Sequence, residues 1–283
     1  KPSGGGIIRG WALYSKFWEW GEDVSTRLAL AEFAEPNENA TAWTIRIKPS
    51  LEFHHGKTID ADDLVFSILR LTDPNLASPY AGLIGAIDRN AVRKLDNRTI
   101  EIRFKEGRSF FPLDETLISF GGIVPVDYDP ITNPVGAGPY RLKSFIPGQR
   151  SLYTRFENYF KPNQPYADEL EIIEFKDQVS RVAALRAGQI DIASAIQAEH
   201  TALLKADSRL RLYASPTTSF AGFNLNLAKP QLQDVRVRQA LRLLADREEL
   251  VKRGLNGFGR IGNDLYSPHD STFNHEILQR QYD

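Results

Sequence analysis

Hydrophobic and polar positions alternate most regularly from Ala42 to Lys48. There Trp43, Ile45 and Ile47 interleave with Thr44, Arg46 and Lys48. A period of two predicts a half-buried strand. Pro49-Ser50 breaks the run, and Leu51-Glu52-Phe53 predicts a second short extended piece. His54-His55-Gly56-Lys57 then reads as a polar, solvated turn. Beyond it the period lengthens: Leu64, Val65, Ile68, Leu69 and Leu71 form the apolar stripe of a helix. Asp60 is placed to cap that helix. Asp62 and Asp63 fall in its first turn, where the helix dipole favours negative charge.

The same patterning extends along the chain. Residues 7–35 are dense in aromatics and then become helical in character; such density serves a core or lines a cleft, and core is the reading taken. Arg98 to Lys105 alternates as a strand, Ser109 to Leu117 predicts a helix, and residues 150–156 and 168–175 predict strands. Gln178 to Ala187 is a helix stopped by Gly188, followed by a short strand over Gln189 to Ala193. That order suits a parallel α/β unit. Leu210 to Ala214 and Phe220 to Leu227 predict further strands. Asp234 to Leu244 predicts an amphipathic helix, and another runs from Asp246 to Asn256-Gly257. The fold class is α/β.

Composition narrows the function classes. With 283 residues, 42% hydrophobic and 25% charged, the chain has the make-up of a soluble globular protein of one large or two ordinary domains. A net charge of -1 gives no basic field for nucleic acid or an anionic membrane. No apolar run is long enough to span a bilayer. No signal peptide is visible, and KPSGGG reads as a processed or truncated start. Cysteine is absent, which removes disulfides and thiolate metal sites.

Motifs for covalent chemistry are weak. Gly257-Phe258-Gly259-Arg260-Ile261-Gly262 fits G-x-G-x-x-G, but a helix precedes it and a loop follows, the wrong context for a dinucleotide site. His54 and His55 are adjacent, so their side chains point apart, and no H-E-x-x-H spacing exists; no metal is expected. There is no G-x-S-x-G elbow. Paired acids such as Asp62-Asp63 and Glu248-Glu249 sit on predicted helix starts or faces, where capping and solvation account for them. No catalytic residue and no cofactor is expected.

Four ordered runs carry a family resemblance. They are Trp43 to Ser67 (WTIRIKPSLEFHHGKTIDADDLVFS), Asn133 to Tyr140 (NPVGAGPY), Arg181 to Ile192 (RVAALRAGQIDI), and Phe223 to Glu248 with its FNLN, DVRVRQAL and DRE pieces. The chain resembles the family 5 solute-binding proteins of ABC transporters, the dipeptide, oligopeptide and nickel-chelate receptors. His55 stands where members often have Asp, and Ala137 where they have Thr. The resemblance implies a periplasmic-binding-protein-like class II fold of two lobes, with an extra subdomain in lobe I. Lobe I would comprise residues 1–12 and 129–222, the inserted subdomain 13–128, and the start of a truncated lobe II 223–283. It also implies an N-terminal portion of a longer receptor, with the first strand and the rest of lobe II missing.

Ligands of open α/β sheets bind beyond the carboxyl ends of strands and between domains. The strand ends nearest predicted crossovers are Ser194-Ala195-Ile196 and Ser219-Phe220-Ala221. By resemblance the second enters a strand running through the hinge, and Asn224 lies on it. A buried Asn offers donor and acceptor to a peptide-like backbone, or else satisfies neighbouring backbone. Tyr80 and the Phe120-Gly121-Gly122 turn are further candidates. In peptide-binding members the acid that pairs with the ligand's amino group comes from the part absent here. The resemblance thus implies a monomeric, extracytoplasmic receptor, periplasmic or lipid-anchored, that captures a peptide or similar small solute by closing two lobes and delivers it to a membrane permease. The alternatives are a hydrolase-like enzyme, for which no nucleophile set is visible, and a ligand-sensing receptor that has lost transport.

Overall fold

The computed structural model describes residues 4–282 apart from 77, 79, 119, 120, 216, 218, 264–266, 271, 272 and 281. Its internal contacts divide the chain into two bodies, Lys1–Glu174 and Phe175–Asp283.

In the first body, α1 (Gly4–Leu13) leads into a hairpin of β1 (Trp18–Trp20) and β2 (Thr26–Leu28). Strands β3 (Ala31–Pro36) and β4 (Ala42–Ile47) follow, then α2 (Ala61–Leu71), the single turn α3 (Ala81–Ile84), β5 (Arg93–Lys94) and β6 (Thr99–Arg103). The sheet order is β3-β4-β6-β5, antiparallel throughout. The alternation read from the sequence of β4 is realised: Trp43, Ile45 and Ile47 are buried, while Thr44 and Arg46 are half-buried. Ile100 and Ile102 of β6 extend the apolar face, and Leu64 and Ile68 of α2 join the same core. Phe17, Trp18 and Phe111 close it with edge-to-face ring contacts among Trp18, Trp43 and Phe111 at 5.5–6.0 Å.

Helix α2 begins where the sequence places it. Asp60 accepts from the backbone N–H of Asp62 and Asp63, and the Asp63 carboxylate returns to the Asp60 N–H, a capping box. Asp63 goes further than a solvated first-turn acid. It is wholly buried, accepts from Val126 N–H at 3.1 Å and pairs with the Lys57 ammonium, tying the helix start to the 126 loop.

Residues 24–35 are not helical. Ala31, Glu32 and Ala34 are good helix formers, but residues 26–28 pair with β1 and 31–36 with β4 as a sheet edge, and tertiary pairing overrides local propensity. The HHGK turn is also drier than its polarity suggests. His55 is exposed, but His54 is buried. Its Nε2 lies 3.0 Å from Gly138 O, its Nδ1 3.4 Å from Gly136 N, and its ring contacts Phe156. Buried backbone groups of the 136–138 loop supply the partners that water would otherwise give.

That loop grips the chain just after α1. Gly138 N–H donates to Leu13 O at 2.9 Å, Ile123 N–H to Ser15 O at 3.0 Å, and Ser15 Oγ to Ala137 O at 2.9 Å. A Cβ on Gly138 would fall 2.5 Å from Ala12 O, so the close backbone approach requires glycine. Helix α4 (Phe111–Thr116) precedes this loop, and a second antiparallel sheet follows: β7 (Tyr140–Ile146), β8 (Arg150–Arg155) and β9 (Glu169–Ile173), in that order. Helix α1 packs on it through Ala12 and Leu13 against Tyr153 and Ile172. Arg9 bonds Ser151 Oγ at 2.9 Å and pairs with Glu174.

The second body contains α5 (Gln178–Arg186), α6 (Thr201–Lys205), α7 (Pro230–Gln233), α8 (Val235–Leu243) and α9 (Arg247–Glu249). Gly188 ends α5 at positive φ, as the stop signal requires. The strands expected over 189–193, 210–214 and 220–227 are absent; those residues are irregular. Alternation states a preference, and a strand exists only once a neighbour supplies its ladder hydrogen bonds. None of these segments has a ladder partner among the described residues. The parallel pairing expected there is therefore missing too, since every described strand pair is antiparallel.

Candidate functional site

Tyr80 and Gly121 lie in the first body. Tyr80 is half-buried at the start of α3, packed on the main core, and its N–H meets Ser78 Oγ at 3.2 Å. Gly121 is buried, and a Cβ there would touch Leu71 and Ile118 of that same core. These two candidates are thus brought to one core. Phe120 lies outside the described residues.

The other candidates lie in the second body, on two irregular stretches. Ser194 and Ala195 are exposed, as are Ser219, Phe220, Ala221 and Asn224. Asn224 is neither in a strand nor buried, so the donor–acceptor argument made for a buried Asn does not apply to it in this form. Phe220 and Phe223 expose 63% and 81% of their surface, large apolar areas next to a polar amide.

Around Ala195 the geometry is more specific. Ala195 has φ 53, a conformation alanine rarely adopts, and its carbonyl is held by α5. Gln178 Nε2 donates to it at 3.4 Å and Arg181 Nη2 at 3.3 Å. Arg181 also bonds Gln178 Oε1, and its Nε is buried without a hydrogen-bond partner. Helix α5 thereby fixes the loop that carries Ser194. The sequence reading missed Gln178 and Arg181, because their partner lies 14 to 17 positions away with no motif linking them.

In the second body the hydrogen bonds from Arg209 hold the Asp207 carboxyl down to about 2; the other titratable groups with large shifts among the described residues lie in the first body. Glu115 is buried and accepts from Phe17 N–H at 3.1 Å and Trp18 N–H at 3.2 Å. Burial pushes its carboxyl up to about 7, against the opposing pull of the Lys16 charge and the two N–H groups. Lys16 donates to Thr116 O at 2.6 Å and Ile118 O at 3.0 Å; burial pulls its ammonium down, and Glu115 and Glu19 partly restore it. Tyr14 and Tyr128 share a hydrogen bond of 2.6 Å, and burial raises Tyr14 strongly. His54 is pushed down to about 4 by burial, so it is neutral: Nε2–H donates to Gly138 O while Nδ1 accepts from Gly136 N–H. Each of these groups is spent on backbone or on its neighbour, and none is paired as a nucleophile with a base.

Among the described residues no three His, Asp or Glu side chains converge to hold a metal. A cavity of about 300 Å³ in the first body is lined by Thr72, Gly85, Ile87, Asp88, Arg89, Asn90 and Lys105, and it includes none of the candidates. No helix among the described residues is long and apolar enough to cross a membrane.

Comparison with known proteins sets this geometry in context. Residues 25–283 match the model of the bacterial extracellular solute-binding proteins, family 5 Middle. The chain is 27% identical over 269 residues to the oligopeptide-binding protein AppA of Bacillus subtilis, covering 90% of this chain and 48% of AppA. It is 28% identical over 281 residues to heme-binding protein A of Haemophilus influenzae, covering 90% and 51%. NikZ from Campylobacter jejuni, solved with Ni(L-His), superposes with a TM-score of 0.81 at 22% identity, covering 96% of this chain and 55% of NikZ. The chain spans about half the length of the curated relatives it matches. The structural likeness shows a shared fold, the α/β class II architecture of periplasmic binding proteins. The family model covers all but the first 24 residues, and the chain belongs to the bacterial extracellular solute-binding proteins of family 5.

Proposed function

We propose that this chain is part of the substrate-binding component of an ABC importer, a receptor that takes up a peptide or similar small solute outside the cytoplasm and delivers it to membrane permease subunits. The observation that carries this reading is the family match over residues 25–283. The relatives' names favour a peptide: AppA is an oligopeptide-binding protein, and its structure holds a nonapeptide. Lobe I would comprise residues 1–12 and 129–222, the inserted subdomain 13–128, and the start of lobe II 223–283. In support, the four-stranded sheet and its helices fall within 31–116 and the three-stranded sheet within 140–173.

Binding here needs no covalent step. The ligand would meet Ser194 and Ala195, Ser219 to Ala221 and Asn224 of the second body; Tyr80, half-buried in the first body, is a separate candidate. Exposed aromatic faces beside hydrogen-bonding groups suit a peptide, whose side chains vary while its backbone does not. The receptor would stand in the periplasm or on a lipid anchor at the cell surface.

The test is a thermal-shift screen of a peptide library against the protein in the length its gene encodes. A ligand at 100 times its Kd stabilises the native state by about 2.7 kcal/mol, a readable shift. Asn224→Ala should weaken the best hit without lowering the melting temperature of the free protein. If no small solute stabilises the protein while an assay detects catalytic turnover of peptides, the reading is wrong.

A further inference from the structure

Among the asparagines of the sequence, Asn256 alone precedes a glycine. Leu255 to Phe258 forms a tight turn closed by Phe258 N–H donating to Leu255 O at 2.8 Å. Its two central residues, Asn256 and Gly257, have φ 49 and 79, as type I′ turns require. Both are exposed to water. Gly257 carries no side chain to shield its amide nitrogen, and nothing lies within 4 Å of where a Cβ would stand.

The Asn256 amide works as a tie. Its Nδ2 donates to Ala198 O at 3.3 Å and to Thr201 Oγ1 at 3.0 Å, holding the turn to the start of α6. Gly257 N–H is engaged by Val251 O at 3.1 Å. The groups that would react are therefore reachable by solvent but occupied by hydrogen bonds.

We propose that Asn256 is a site of spontaneous deamidation in the folded protein, with a rate set by these ties. The Gly257 amide nitrogen loses its proton to water and attacks the Asn256 side-chain carbonyl carbon. Ammonia leaves as the C–N bond of the side-chain amide breaks, and a five-membered succinimide remains. Water then opens either carbonyl, giving aspartate or isoaspartate. No oxidant or reductant takes part. Opening of the hydrogen bonds to Ala198, Thr201 and Val251 precedes the attack, so the reaction reports how often this corner of the second body opens.

The product differs from the reactant in what it can hold. A carboxylate cannot donate to Ala198 O, so that carbonyl keeps only its bonds from the Thr201 hydroxyl, at 2.6 Å, and the Thr201 N–H, and it faces a negative charge. Modification should release the turn from α6. Phe258 lies under the Lys205 ammonium, 4.5 Å from the ring centroid, so the same release frees a second contact to α6.

The experiment is an incubation of the protein at mildly alkaline pH, with peptide mapping by mass spectrometry. A synthetic peptide spanning residues 250–261 serves as the unfolded reference. Conversion is expected at Asn256 ahead of every other asparagine, slower in the protein than in the peptide. Thr201→Val removes one tie and should speed conversion severalfold in the protein. Asn256→Asp should raise amide hydrogen exchange over residues 198–205 while leaving the sheets of the first body unchanged. Conversion at Asn256 no faster than at the other asparagines would overturn the site. An unchanged rate in Thr201→Val would overturn the control by the ties.

Discussion

Replacing Glu115 by glutamine takes a charge out of a place that water scarcely reaches. The residue is 4% exposed, and burial raises its carboxyl from 4.5 to about 7. Unfolded, it returns to its ordinary value. Between those two values the folded chain therefore holds a proton that the unfolded chain has lost, and stability falls as pH rises. The contribution is complete below 4.5 and gone above about 7. At about 1.4 kcal/mol per pH unit, the window is worth about 3 kcal/mol. A side-chain amide does not titrate, so the Glu115→Gln variant should lack this slope between 4.5 and about 7; the Lys16 ammonium, which Glu115 supports, is lowered further by the change. Urea unfolding followed by tryptophan fluorescence measures it, because all four tryptophans, Trp11, Trp18, Trp20 and Trp43, lie in the first body. Wild type should lose about 3 kcal/mol more than Glu115→Gln across the window. Equal pH slopes in the two proteins would refute the reasoning. Lys16→Met should move the wild-type window upward, since it removes the charge that favours the Glu115 carboxylate.

Two further substitutions test the backbone. Gly138→Ala puts a methyl group 2.5 Å from Ala12 O, a backbone atom; overpacking of this kind should cost about 1–3 kcal/mol in urea unfolding, and unchanged stability would mean the 136–138 loop is not a rigid grip. Val24 is a β-branched residue at φ 63 in the turn between β1 and β2; Val24→Gly should relieve strain and stabilise the first body by about 1 kcal/mol, read as a higher melting temperature, and a loss instead would show that the valine side chain matters more than its backbone.

What the sequence disclosed depended on where the information was stored. Strand β4 and helix α2 were legible because each carries its own period and its own cap; Asp60 and Ile45 need only nearby residues to declare themselves. Residues 24–35 misled, since alanine and glutamate favour a helix and only pairing with β1 over 26–28 and with β4 over 31–36 makes strands there. His54 looked solvated because its partners, Gly136 and Gly138, stand more than 80 positions away. The segment from Phe220 to Leu227 alternates as a strand should, yet the described residues offer it no ladder. For the candidate site, the four ordered motifs identified the family, while Gln178 and Arg181 were invisible: an arginine on a helix gives no sign that it holds the carbonyl of Ala195.

The grip on residues 12–17 has a consequence for how the chain assembles. By residue 103 all four strands of the β3-β4-β6-β5 sheet exist, and their contacts are mostly between neighbours in the chain. Ser15 and Ala137, by contrast, meet across 122 positions. Closing that loop comes late on entropic grounds, so the sheet can form while the start of the chain is still loose. The Gly138–Leu13 and Ser15–Ala137 bonds then act as a late stitch, joining the start of the first body to the 136–138 loop after the β3-β4-β6-β5 sheet has taken shape. A variant that weakens the stitch, such as Gly138→Ala, should therefore speed unfolding far more than it slows folding.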